Sequence, residues 1–296
     1  MSLLRFRTWH DWIVSAGLIV VIGYLISRCV DILHNTWQGS SGMLIIGAIA
    51  LGVQQLWNDR HHLAKLTATP EDQFLGYLLI LSGIGLLPFN WSNPWIQALL
   101  CGLIWLGMIC SRWGLSFFSR YSLPAALIAI GFIPQPTVVF QILWQTLTPP
   151  EFLERGMAWA ATWGLTLIGQ SATLKGTSIL LPEGAVNVAY GCNGTYIALT
   201  MLVTSLLLGL WKQQPPLVIA KMVAIGVGLA LVTNIPRIML MTLASVYWGK
   251  EWFDFWHSSW GGQIFITLIF TVHYYWVSNF MVTDEAVEDE VRSPQA

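Results

Sequence analysis

Long apolar runs constrain this chain more than any other feature. Trp12–Ser27, Met43–Leu56, Phe74–Leu87, Trp95–Cys110, Gly156–Leu174, Thr195–Leu210, Leu217–Ile235 and Gln263–Val282 each form a hydrophobic segment. A helix that crosses a bilayer needs about 20 mostly apolar residues, so these runs qualify or nearly do, the shortest with tilt or flanking residues. Composition agrees: 55% of the 296 residues are hydrophobic, 10% are charged and mean hydropathy is +0.61. A soluble domain carries about 25% charged residues, so much of this surface faces lipid. The net charge of −1 offers no basic field to nucleic acid. The first run lacks a small-residue cleavage site and continues into Arg28, Cys29 and Val30, so it reads as a retained helix rather than a signal peptide. The expected fold is an all-α polytopic membrane protein. It forms one integral membrane domain over 1–296, with the first four helices in 12–110, a core over 156–282 and a disordered acidic tail at 283–296.

One stretch leaves the span count open. Leu123–Leu147 is apolar but is interrupted by Pro134-Gln135-Pro136, which breaks a helix. It reads either as one kinked span or as a re-entrant or amphipathic helical hairpin. Short-loop Lys and Arg mark the inner side: Arg5 and Arg7, Arg60 and Lys65, Arg112 and Arg120, Lys212 and Lys221. With Lys212 and Lys221 inside, Cys192 lies one span earlier and therefore outside, after an odd number of spans. The hairpin reading supplies that parity, with about eight true spans and both ends inside. Lys175 then falls outside, against the rule. Most of the 17 tryptophans sit near run ends, as an interfacial belt requires.

The four cysteines contain no CxxC, so neither a zinc site nor a redox pair is indicated, and no cofactor is implied. Cys101 and Cys110 lie about 13 Å apart along one helix and cannot bond to each other. Each reads as a small buried or lipid-facing apolar residue. Cys192 differs. It stands in Tyr190-Gly-Cys-Asn-Gly194, where an extended, Gly-punctuated segment over Lys175–Asn193 meets the run Thr195–Leu210. A helix start favours an anion, but burial near lipid works against a thiolate, so a nearby cation is needed. A cysteine packed in a turn is the plain alternative.

Arg237 supplies a candidate cation. It lies in Thr233-Asn-Ile-Pro-Arg-Ile238 inside an apolar stretch, where an arginine costs about 2.5–3.5 kcal/mol on insertion scales and usually serves a site. Asn234 shares its helical face, and Pro236 is expected to break the helix beside a polar pocket. Snorkelling at the outer interface is the alternative. His257, in Trp252-Phe-Asp-Phe-Trp-His-Ser-Ser-Trp-Gly-Gly262, falls on the same outer side and suits proton exchange near neutral pH, although such a residue can also be a structural hydrogen-bonder. His273 is a rival, while His10, His34, His61 and His62 read as loop or interface residues. A serine nucleophile at Ser258 or Ser259 is disfavoured, because residues so close to His257 in sequence rarely face it as nucleophile and base. Together, one thiol, one guanidinium and one imidazole form a workable acyl-transfer set.

These three blocks resemble the exosortase/archaeosortase family, with a lean toward its cyanobacterial branch. The family's Cys-Ser-Gly block appears here as Val188-Ala-Tyr-Gly-Cys-Asn-Gly194, its Asn-x-x-Arg as Asn234-Ile-Pro-Arg237, and its His block as His257-Ser-Ser-Trp-Gly261 before a last apolar run. The resemblance covers about residues 156–282. It implies a cysteine peptidase or transpeptidase of the bacterial inner membrane with its site on the periplasmic face. Cys192 would be the nucleophile, His257 the acid/base, Arg237 an oxyanion or substrate stabiliser, and Asn193, Gly194 and Asn234 supporting residues. The implied partners are secreted proteins with a C-terminal tail (a Pro-Glu-Pro-type motif, a membrane helix and a basic end), membrane lipid, and a glycan or lipid acceptor. Asn193 in place of the usual Ser departs from the pattern. A transporter or channel, suggested by the Pro134 region and the buried Arg237, and a non-catalytic membrane scaffold remain the alternatives.

Overall fold

The computed structural model describes residues 8–34, 39–257, 259–279 and 281. Arg5, Arg7, Ser258, the side chains of His34 and Ser259, and the acidic stretch 283–296 lie outside them. The chain divides into two compact units, Met1–Val139 and Phe140–Ala296.

The first unit holds α1 (Trp9–His34), α2 (Gly39–Asn58), the single turn α3 (Arg60–Leu63), α4 (Pro70–Leu86), α5 (Pro94–Trp113), α6 (Ser116–Ala129) and the start of α7 (Pro136–Leu147). Local sequence sets the boundaries. Thr69 and Asp72 form a reciprocal capping box with Pro70 at the first helical position, and the Asn93 side chain caps α5 ahead of Pro94. Helices α4 and α5 meet backbone to backbone. A methyl group at Gly76 would fall 2.6 Å from the Gly107 carbonyl oxygen, so only glycine permits this approach. The apolar run over Leu123–Leu147 bends by 103° between Phe132 and Pro136. The break leaves carbonyls without helical donors, and Arg28 of α1 takes them up: its Nη2 donates to the oxygen of Pro134 at 2.6 Å and of Ile133 at 3.4 Å. This explains how an arginine sits in an apolar helix.

The second unit continues with α8 (Phe152–Leu167), strands β1 (Thr173–Lys175), β2 (Ser178–Leu181) and β3 (Gly184–Asn187), a 3₁₀ turn at Tyr190–Cys192, α9 (Thr195–Trp211), α10 (Pro216–Leu243), α11 (Lys250–His257) and α12 (Ser259–Ser278). The helix expected to reach Leu174 stops at Leu167. Gly169, in a left-handed conformation, and Gln170 return hydrogen bonds to Thr166 and Leu165, closing the helix end. The expected extended segment is a small antiparallel sheet in the order β1-β2-β3, an addition to the all-α expectation. Ile179 and Val188 turn inward onto Ala158, Ala161 and Leu165 of α8 and Ile238 and Met241 of α10. Helix α10 was expected to break at Pro236 but runs through it; the proline removes one rung of the ladder and the rest hold.

Among the described residues four helical segments are long and apolar enough to cross a membrane: Trp9–Asp31, Pro70–Asn90, Pro94–Trp113 and Pro216–Trp248. The bent pair Ser116–Phe132 and Pro136–Leu147 makes up to five, and Leu44–Asn58 and Thr195–Trp211 are shorter apolar helices. The chain is a helical, multi-pass membrane protein, and helix length alone does not reach the eight spans expected.

Candidate active site

Cys192 ends the 3₁₀ turn that follows β3. Its backbone N–H donates to the Ala189 carbonyl at 2.9 Å, and its own carbonyl accepts from Asn234 Nδ2 at 2.9 Å. The side chain is a free, half-buried thiol resting against the core of α8, β2 and α10. Burial pushes this thiol up, and the Arg237 guanidinium pulls it down less strongly, so it stays above the ordinary cysteine value. At neutral pH the resting group is therefore the thiol, and nucleophilic attack needs a base to remove its proton.

Asn234 is 1% exposed, and Arg237 lies three residues later on the same helix. An Nη2 of Arg237 comes within 4.0 Å of where a side chain would begin at Gly262 of α12. Among the described residues Arg237 has no ion-pair partner, and its buried Nε has no hydrogen-bond partner. Helix α10 thus presents an amide to the backbone of Cys192 and carries a cation near enough to act on its thiol.

Gly194 has φ 87°, and a methyl group there would lie 2.9 Å from Asn234 Nδ2. Both the left-handed backbone and the close approach require glycine. Asn193 has no exposed surface; its Oδ1 accepts from the Thr195 N–H at 2.9 Å, and its Nδ2 donates to Glu154 Oε1 at 3.1 Å. Thr195 Oγ1, Asn234 Oδ1 and Trp256 Nε1 are further buried polar atoms without a partner among the described residues.

His257 closes α11 as an exposed ring stacked on Phe253, with centroids 5.2 Å apart at 16°. Phe253 and Trp256 of the same helix pack on the cluster that Cys192 touches. The structure therefore brings Cys192, Asn193, Gly194, Asn234 and Arg237 together. It carries His257 on a helix adjoining them, without a hydrogen bond to Cys192. His273 is elsewhere: it is buried between α9, α10 and α12, its Nε2 3.0 Å from Ser205 Oγ and 3.1 Å from the Met222 carbonyl oxygen. Sequence reasoning missed Glu154, Thr195 and Trp256. Glu154 reads as an ordinary acidic residue in a helix's first turn, and nothing local marks the other two.

Fold and site define a multi-pass membrane protein that carries a cysteine where a strand segment enters a helix, with an arginine near enough to act on its charge. The family can be stated as well. A sequence profile of the transmembrane exosortases matches residues 34–274, most of the chain, and the chain belongs to that family of membrane sorting enzymes. No curated protein and no solved structure matches it.

Proposed function

We propose that this exosortase-family protein is a cysteine peptidase or transpeptidase that cleaves the C-terminal sorting tail of secreted proteins. The observation that carries the reading is the convergence of Asn234 and Arg237, one helical turn apart on α10, on Cys192. The raised thiol makes proton removal part of the chemistry. His257, one residue beyond the packed Trp256, is the base. It comes within reach of Sγ when substrate orders the pocket, since catalytic contacts in free enzymes are often long. Sγ attacks the scissile carbonyl carbon as its proton passes to His257. Arg237 stabilises the oxyanion. Collapse breaks the C–N bond, His257 returns the proton to the departing amine, and a thioester remains on Cys192. Water releases an acid; an amine or hydroxyl of a glycan or lipid acceptor gives the transferred product.

The same reading places the protein in the bacterial inner membrane with Cys192 on the periplasmic side, supported by Lys212 at the far end of α9 and Lys221 near the start of α10. Counting α2, α8, α9 and α12 with the four long segments gives about eight spans, the bent pair being re-entrant. The test is processing of a tailed substrate in membranes. Cys192→Ala should abolish it without loss of the protein from the membrane; wild-type processing by that variant would sink the proposal.

A further inference from the structure

The turn that carries Cys192 is held from two sides. Asn234 of α10 takes the Cys192 carbonyl at 2.9 Å. On the other side stands Glu154, half-buried in the first turn of α8, a carboxylate that the chemistry above does not use. Its Oε1 accepts from Asn193 Nδ2 at 3.1 Å, while the other end of that amide accepts the Thr195 N–H at 2.9 Å. A carboxylate can only accept, so Glu154 dictates which end of the Asn193 amide faces α8. An amide turned over would set oxygen against carboxylate and NH₂ against N–H. The Thr195 N–H is also one of the donors that a helix start leaves without an intrahelical acceptor. One buried side chain therefore couples α8 to the first residue of α9, and Cys192 immediately precedes it.

We propose that Glu154 is a positioning residue, fixing through Asn193 the turn that presents the Cys192 thiol. This rests on the cysteine-enzyme reading above. The bond is charge-assisted, and such bonds are roughly twice as strong as neutral ones. What matters is the acceptor at that point and not the charge itself. A glutamine oxygen would serve, whereas an aspartate, one methylene short, would not.

The experiment follows substrate processing and iodoacetamide alkylation in parallel, with Cys29, Cys101 and Cys110 replaced by alanine so that Cys192 is the sole thiol. Glu154→Ala and Glu154→Asp should each lower kcat roughly tenfold or more, with KM little changed, and Glu154→Gln should stay within about threefold of the parent. The loosened turn should make Cys192 alkylate several-fold faster in the first two variants at equal pH, as an orphaned buried donor is relieved by opening. In an Asn193→Ala background, Glu154→Ala should add less than about twofold, because the two side chains act as one unit. If Glu154→Ala does not fold, Glu154→Asp and Glu154→Gln carry the comparison. Parental behaviour of Glu154→Ala or Glu154→Asp, equal impairment by Glu154→Gln, or additive losses with Asn193→Ala would overturn the proposal. Should Cys192→Ala retain processing, the cysteine-enzyme reading fails, while alkylation, which needs no substrate, still reports on the turn.

Discussion

Asn234→Ala probes the contact on which the site depends. Its Nδ2 is 2.9 Å from the Cys192 carbonyl oxygen, and the residue is 1% exposed. Alanine leaves that carbonyl without its donor where water has little access. An unmet buried polar group costs about 1–3 kcal/mol, equivalent to about 5- to 150-fold in an equilibrium. Partial relaxation of the turn should bring the loss in kcat/KM to about tenfold to a hundredfold, measured on a tailed substrate in proteoliposomes. Gly194→Ala supplies the internal check. Its new methyl group would lie 2.9 Å from Asn234 Nδ2 and 3.1 Å from Cγ. Asn234→Ala removes both atoms, so the added glycine substitution should cost less in that background than alone. What remains is the left-handed backbone, about 1–2 kcal/mol, and the 3.2 Å approach to the Cβ of residue 234, which alanine keeps. The reasoning is refuted if Asn234→Ala keeps its kcat/KM within twofold and Gly194→Ala costs the same in both backgrounds.

Other parts of the structure give independent tests. Arg237→Met removes the group that pulls the Cys192 thiol down, so the pH midpoint of Cys192 alkylation should move upward, and Arg237→Lys should restore part of the shift. His273→Leu deletes the contacts to Ser205 Oγ and the Met222 carbonyl; it should lower thermal stability by about 1–3 kcal/mol and leave the alkylation profile of Cys192 in place, whereas a shifted profile would make His273 the proton acceptor. Arg28→Met strands the Pro134 carbonyl and should destabilise the protein by about 1–3 kcal/mol in the same thermal assay.

Much of the architecture was legible because lipid imposes it. Run length and the scarcity of charge announce membrane helices; the caps at Thr69-Pro70 and Asn93-Pro94, which set where two of them begin, went unread. The span count was less legible: α9 and α2 are apolar but short, and their role depends on surroundings outside their own sequence. Pro236 pointed to a broken helix wrongly, since one missing hydrogen bond leaves its neighbours intact. The cysteine turn, Asn234 and Arg237 were readable because each residue type is costly or conformationally special where it stands. Glu154 was not, because a carboxylate in a helix's first turn is ordinary until the fold brings Asn193 to it. Arg28 was passed over for a related reason: its partners are backbone carbonyls more than 100 residues away, and a carbonyl leaves no trace in sequence.

The most direct test of the central claim is to look for the covalent intermediate. Protein quenched in acid during turnover of a tailed substrate should carry a substrate fragment on the peptide containing Cys192, removable by neutral hydroxylamine as a thioester is. His257→Ala should impair both formation and release of this adduct, and Cys192→Ala should lack it. Processing that proceeds in Cys192→Ala at the parental rate, with no adduct on the wild-type cysteine, would contradict the account.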